Sequence, residues 1–548
     1  MTTPAVPTDS PLPPDVEGFW AWEKGHFPRP ATPLTQELLY RAITDGFSRA
    51  MQEWACPFGT ECRAINYYGF FTIKPFDLGS ETIEARSARY QQILGEVLPR
   101  MGDLWAQEWL PSILPGLEKG RTADYTALSH EELWHRLDEM LRDFRARWTI
   151  HGYVNFVVIS ASWFADFYNE TFEPEDPTEP YLLLQGFPTR SLDAGRSLWR
   201  LSRSIKKSPA LTRLFEEQEP SQLVSHLERS DEGRHFLREF QAYLDEFGWR
   251  SEAFELADPT WREDPTVPLN TLQGYLALGE DADPDVRFQT AVQTRERLLC
   301  QARQRLAGDP EKLARFNELY DMGCHNLVLT DDHNYYIDQV GDAILRSLLL
   351  EIGRRLVRQG ALADANDVFL LYLAEIRAGL AGANQQALAV QRQTEMAAWA
   401  RIIPPPTIGE QPPPSDDPWE EAVLRKMLGV PVEPSTDPDV ITGTGASSGT
   451  VQGRAKVVRS LSEASKVQPG EILVCEMTMP AWTSLFSTVS AVVSDTGGVL
   501  SHCAIVAREY CMPCVVGTVV GTSVIKDGML LTVDGSQGIV RIDARLQG

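Results

Sequence analysis

From Glu81 to Ala400 apolar residues recur at spacings of three and four, the period of an amphipathic helix. In the stretch opening at His130, the residues Leu133, Leu137, Leu141, Phe144 and Trp148 form one such stripe, and the next position on it is His151. The run YVNFVVISASWFADFY that follows Gly152 brings Trp163, Phe164 and Phe167, apolar surface suited either to a core or to a pocket for an apolar ring. Gln185 to Thr189 breaks the helical pattern, and Ser191 is expected to restart it as an N-cap. Further helices are expected over Phe236 to Phe247, stopped by Gly248, and along Ile344, Leu348, Ile352 and Leu356, stopped by Gly360. Toward the N-terminus the pattern changes. Gly18 to Leu34 is too rich in proline for a regular element, whereas Ile65 to Pro75 is aromatic and β-branched, a short strand, a hairpin arm or an aromatic wall.

Two proline triplets in Ile402 to Pro418 favour extended chain and mark a boundary. A short helix over Trp419 to Leu428 and a second proline-bearing stretch complete a linker, 402–440. Beyond Thr442 come glycine turns and β-branched runs such as EILVCEM, VSAVVSDTGG, CVVGT and MLLTVDG, which predict a compact α/β domain over 441–548. The expected organisation is a disordered arm (1–17), a large mainly α-helical domain (18–401), the linker and this α/β domain.

The chain of 548 residues has a formal charge of −25, which disfavours nucleic acid and anionic membranes as partners. No signal or transit peptide is expected from the first eighteen residues, and no apolar run is clean enough to cross a bilayer. Eight unevenly spread cysteines read as reduced thiols of a cytoplasmic protein. Cys511 and Cys514 spell CxxC, but no second CxxC accompanies them to complete a zinc site, and no metal centre is expected.

The candidate chemistry centres on Ser494 to Thr518, SDTGGVLSHCAIVAREYCMPCVVGT. Gly497 and Gly498 permit close backbone approach to a bulky anion, and Ser501 is expected to cap a helix with His502 in its first turn. Free N–H donors and partial positive charge at a helix start suit an anionic phosphoryl group on an imidazole. The TGG turn, the Ser-His pair, the AIVARE helix and the Pro-x-Val-Val-Gly-Thr strand entry resemble the phosphohistidine signature of the PEP-utilising enzyme family. That resemblance implies that His502 is phosphorylated, that Thr496, Gly497, Gly498, Ser501 and Arg508 surround the phosphoryl group, and that 441–548 is a swivelling domain. MTMPAWTSLF, with Thr478, Pro480, Trp482 and Thr483, is similar to the family loop flanking the histidine, and Cys511 and Cys514 fill small-residue slots. Arg508 and Glu509 are expected to pair. Leu500 stands where the dikinases carry a regulatory threonine, so that control is not expected.

The layout resembles rifampin phosphotransferase without its ATP-grasp domain, and the phosphohistidine subunits of phenylphosphate and 4-alkylphenol phosphate synthases. It implies that 18–401 binds an acceptor. There is no Walker A string, and neither an ATP-grasp domain nor a PEP barrel is expected. The expected mechanism is a relay in which a separate ATP-grasp subunit, with ATP and Mg2+, loads His502, and the histidine domain passes the group to a small, phenolic hydroxyl acceptor. The acceptor step needs a base, for which His151 and His333 are candidates, and positive charge on the phosphoryl oxygens. Arg29, Arg250 and Arg346 are candidates for the charge, with His26 a capping or acceptor residue. Asp331 or Asp332 is expected to orient, unless the acidic pair only serves the N-terminal dipole of the helix after it. Two other readings stay open: a split rifampin-type phosphotransferase for a natural product, and a non-enzymatic phosphocarrier.

Overall fold

A computed structural model of the chain describes residues 16–410, 417–430 and 432–544. The arm expected over 1–17 lies outside them except for its last two residues, as does the proline triplet at 412–414 in the linker. The protein is mainly helical with an α/β region at its C-terminal side. Its chain folds into two compact units, 1–155 with 253–258 and 336–414, and 156–252 with 259–335 and 415–548. The residues expected to form one helical domain are thus divided between the two, and 441–548 lies in the second with two helical stretches.

In the first unit the helix His130–Val154 opens with a capping box, Ser129 and Glu132 exchanging side-chain and backbone hydrogen bonds. Its stripe from Leu133 to Trp148 is buried. It crosses the helix Arg41–Glu53 almost backbone to backbone: a Cβ at Gly46 would lie 2.5 Å from the Trp148 carbonyl oxygen, and one at Gly152 2.9 Å from that of Gly46. That contact carries His151 against the Phe47 ring, centroids 5.2 Å apart.

Beside these helices lies a four-stranded antiparallel sheet in the order Phe58–Ile65, Tyr68–Pro75, Trp20–Trp22, Thr407–Ile408. Of the readings open for the aromatic run, the hairpin is the one formed. Its two-residue loop, Asn66 and Tyr67, has positive φ at both positions (52° and 70°), the geometry that matches strand twist. One expectation is corrected. The Gly18–Leu34 segment does hold a strand, because its prolines begin only at Pro28, after the paired residues. Part of the extended chain expected at the start of the linker is a strand, with Thr407 and Ile408 paired to Ala21 and Trp20.

In the second unit an eight-stranded sheet runs in the order Val440–Thr442, Ile539–Ala544, Leu530–Asp534, Thr450–Val458, Ile472–Cys475, Ala491–Ser494, Cys514–Val516, Thr444–Ser447. The four strands from Thr450–Val458 to Cys514–Val516 are mutually parallel. Val474, Val493, Val515, Leu531 and Val533 lie in the core of this sheet. The helix His502–Glu509 is the crossover between the parallel strands Ala491–Ser494 and Cys514–Val516. His502 therefore sits beyond the C-terminal edge of its strand, where open parallel sheets present ligand sites.

Two more expectations change. The N-cap of the helix Arg190–Lys206 is Thr189, whose hydroxyl accepts from Leu192 N–H, and Ser191 lies inside the first turn. The Asp331–His333 trio does not open a helix. It ends the helix Pro310–His333, and a π-helical stretch, Asn334–Val340, leads straight into the helix Gly341–Arg358. All eight cysteines are free thiols. No helix among the described residues is long and apolar enough to cross a membrane.

Candidate functional site

Ser501 has extended backbone (φ −66°, ψ 157°) and its hydroxyl accepts from Ala504 N–H at 3.3 Å, so His502 is the first helical residue. The imidazole is half-buried, and its Nε2 lies 3.3 Å from the Thr483 hydroxyl. Thr483 comes from the 3-10 helix Pro480–Ser487, the segment expected to flank the histidine. The strand before the site is tied down by side chains. Ser494 Oγ donates to Glu476 O and Thr496 O, and Asp495 accepts from the Thr518 and Thr522 hydroxyls and from Thr522 N–H.

Several residues expected at the phosphoryl group have other partners. Thr496 gives its hydroxyl to Glu476 O at 3.0 Å. Gly497 N–H, Gly498 N–H and Leu500 N–H donate to Leu428 O, Met427 O and Lys426 O, at 3.2, 2.9 and 2.7 Å. Those acceptors lie at the C-terminal end of the linker helix Glu420–Met427, where carbonyls lack intrahelical partners. A Cβ on Gly498 would stand 2.4 Å from the Lys426 carbonyl oxygen. The close approach these glycines permit is thus made by the protein's own linker. Lys426 in turn reaches Ser162 Oγ (2.8 Å) and Asp166 Oδ1 (2.7 Å) on the helix Val157–Phe172.

Arg508, expected at the phosphoryl group and paired with Glu509, gives its hydrogen bonds to backbone carbonyls. It is buried, donates to Ala446 O (2.6 Å) and Val499 O (2.8 Å), and lies over the Tyr181 ring. Burial lowers its pKa to about 10. Glu509 accepts from Gly186 N–H instead, and burial raises its carboxyl to about 7. Each charge still acts on the other, but the hydrogen bonds of each go to a different piece of backbone.

The acceptor-side candidates fall in both units. In the second, Asp331 accepts from Ser191 N–H (2.8 Å) and its hydroxyl (2.5 Å), and Asp332 from Arg190 N–H (3.3 Å). The acidic pair does serve a helix N-terminus, but that of Arg190–Lys206, distant in sequence. Burial, with Asp331 alongside, raises the Asp332 carboxyl to about 7. His333 places Nδ1 2.6 Å from Leu329 O, which makes Nδ1–H the donor, and burial lowers its pKa to about 4. The three consecutive side chains point to three different partners. Arg250 is 1% exposed, among the rings of Phe247, Trp261 and Tyr335. One guanidinium nitrogen meets Phe247 O at 3.4 Å, while Nη2 has no hydrogen-bond partner. Phe164, counted as possible pocket wall, packs on Phe316 and Tyr320 as core.

In the first unit, Arg29 pairs with Asp258, and Arg346 donates to Leu256 O (3.0 Å) and Asn366 Oδ1 (3.2 Å). His26 stacks on Phe254, with Glu23 3.0 Å from its Nδ1; burial works to lower its pKa, but Glu23 outweighs that and raises it. Glu255 accepts from the hydroxyls of Thr32 and Thr35. All these contacts hold the 253–258 segment in place, which makes His26, Arg29 and Arg346 its anchors. His151 is different. Its ring lies against Trp148 and Phe47, and Nδ1 faces Asp338 Oδ1 at 4.0 Å. Asp338 was not singled out in the sequence, where a lone aspartate in NYYIDQV carries no signal beyond its helical spacing to Asp342.

Residues 467–538 match the family described as PEP-utilising enzyme, mobile domain, and residues 149–328 the family described as rifampicin phosphotransferase fourth domain. These matches place a PEP-utilising enzyme mobile domain at 467–538, in a layout like that of rifampicin phosphotransferase. Among its relatives, chondramide synthase cmdD of Chondromyces crocatus is 33% identical over 99% of this chain and 14% of its own length. The uncharacterized phosphotransferase YvkC of Bacillus subtilis is 30% identical over 97% of this chain and 62% of its own. A rifampicin phosphotransferase of Streptomyces sviceus is 24% identical over 79% of this chain and 50% of its own. The chain spans from about a seventh to about three-fifths of the length of these curated relatives.

Proposed function

We propose that the chain carries a phosphoryl group on His502 and delivers it to the hydroxyl of a small aromatic acceptor. One observation carries this reading: an imidazole in the first turn of a Ser501-capped helix, at the C-terminal edge of a parallel sheet, with a hydroxyl at its Nε2. A phosphoryl group on Nε2 would lie against Thr483, and the N-terminal dipole of the helix favours its charge. ATP with Mg2+, held by an ATP-grasp unit, is the source of the group. Carrying it on His502 divides one difficult transfer into two easier ones.

On the acceptor side, an imidazole whose pKa is about 4 is a weak base, which counts against His333. His151 is the better base, and Phe47 and Trp148 beside it suit an aromatic ring. Arg250, a buried cation with one nitrogen lacking a partner, is the candidate for the phosphoryl oxygens. The acceptor we favour is a phenol or 4-alkylphenol; relatives named rifampicin phosphotransferase support a second reading, a hydroxyl of an antibiotic or other natural product.

The test incubates the chain with β- and γ-labelled ATP, with and without a co-encoded ATP-grasp protein, and then offers p-cresol, phenol and rifampicin. Label that requires His502 and passes to p-cresol supports the phenol reading, and transfer to rifampicin alone the second. Label that no hydroxyl compound discharges favours a carrier, and a chain that is never labelled overturns the proposal.

A further inference from the structure

The phosphotransfer reading uses His151 but leaves unused the buried charged groups beside it in the first unit. Arg147 and His151 stand four residues apart on the helix His130–Val154, and Asp338 and Asp342 four apart on the helical run that continues into Gly341–Arg358. That spacing puts each pair on one face. His151 Nδ1 faces Asp338 at 4.0 Å. Burial holds the Asp342 carboxyl well above the usual range, and the Arg147 charge works against that.

Asp338 is 2% exposed, and neither of its carboxylate oxygens has a hydrogen-bond partner. A carboxyl buried without partners is costly, and such groups in a native structure point to a function. Its π-helical setting, Asn334–Val340, agrees, because π turns within helices often occur at functional sites. Burial and the neighbouring Asp342 hold the Asp338 carboxyl well above the usual range, so its charged form needs a cation close by. The imidazolium of His151 is placed to supply that cation.

We propose that Asp338 is the positioning residue for His151, taking the imidazole Nδ1 proton as a hydrogen bond so that Nε2 faces the acceptor hydroxyl as the lone-pair nitrogen. This rests on the phosphotransfer reading. In the transfer the acceptor oxygen bonds to phosphorus and the phosphorus–nitrogen bond to His502 breaks, its electron pair returning to the ring nitrogen. The hydroxyl proton moves to His151 Nε2, and Asp338 stabilises the imidazolium. A separation of 4.0 Å is longer than a hydrogen bond, as is common for catalytic contacts before the substrate binds.

The experiment compares full-length wild type, Asp338→Asn and Asp338→Ala, each labelled on His502 and freed of ATP. Single-turnover discharge to p-cresol is expected to fall roughly a hundredfold in both variants, with the Kd for the acceptor little changed. In wild type, 15N spectra of the His151 ring should show the proton on Nδ1, and in Asp338→Ala that preference should be lost. Wild-type discharge rates in Asp338→Asn, or an unchanged His151 tautomer in Asp338→Ala, overturn the inference. If Asp338→Ala does not fold, the isosteric Asn variant decides by the same two readouts, an unchanged His151 tautomer again overturning it. Failure of wild type to load His502 defeats the phosphotransfer reading instead, and the ring spectra still decide whether Asp338 sets the tautomer.

Discussion

Arg508 and Glu509 are neighbours in sequence, and each holds a different piece of backbone. Replacing Arg508 with Met leaves two carbonyls, one buried and one partly buried, without their donor, so a loss of about 3 kcal/mol in the unfolding free energy is expected by denaturant titration. Glu509 gives a pH dependence. Its folded-state pKa of about 7 lies above the unfolded value of about 4.3, so between these pH values the folded chain keeps a proton that the unfolded chain has lost. Its contribution to stability therefore falls as pH rises through that window, and Asp332 acts in the same direction. Glu509→Gln keeps an acceptor for Gly186 N–H and should flatten part of the fall in melting temperature between pH 5 and pH 8. At this scale Ser501 and His502 were legible in the sequence because a cap and its helix are local. The partners of Arg508 were not, since backbone carbonyls from distant strands leave no mark in composition or spacing.

Among the elements, the linker helix Glu420–Met427 ties most closely to the site. Gly498→Ala would force its Cβ against the Lys426 carbonyl. Amide exchange at Gly497, Gly498 and Leu500 is expected to quicken at least about tenfold in that variant, read by hydrogen exchange, because these donors lose their acceptors. Exchange in the buried strands Ile472–Cys475 and Ala491–Ser494 should stay slow. The linker helix itself could be read from the sequence, whereas its docking on the TGG turn could not, since glycines that admit a phosphoryl group admit a carbonyl equally well. The Asp331–Asp332 pair shows the same limit. Acidic residues at a helix start were the right physics, and the helix they serve begins at Arg190.

At the scale of the whole molecule, the chain passes between its two units at 155/156, 252/253, 258/259, 335/336 and 414/415. Only the last crossing falls in a proline-rich stretch; that at 335/336 lies within the π-helical run Asn334–Val340. Composition marks a boundary that falls in proline-rich sequence, and it is silent where chain leaves one core inside a helix. The α/β domain was legible because its strands and turns are contiguous; the division of the helical part was not. Within the proposed function, each chain should take up one labelled phosphoryl group, His502→Ala none. The labelled chain, freed of nucleotide, should then discharge to the acceptor without further ATP, followed by label counts on protein and product.

The docking of the linker helix also sets how long a leash the His502 domain has. One end of the leash is fixed, since Ile408 is paired into the sheet of the first unit. With the helix on the TGG turn, the chain length between Ile408 and Asp417 allows a span of at most roughly 30 Å. Were the helix released, the chain length between Ile408 and Val440 would allow at most roughly 90 Å, even with Glu420–Met427 still wound. Three backbone hydrogen bonds thus separate two chain lengths that differ about threefold.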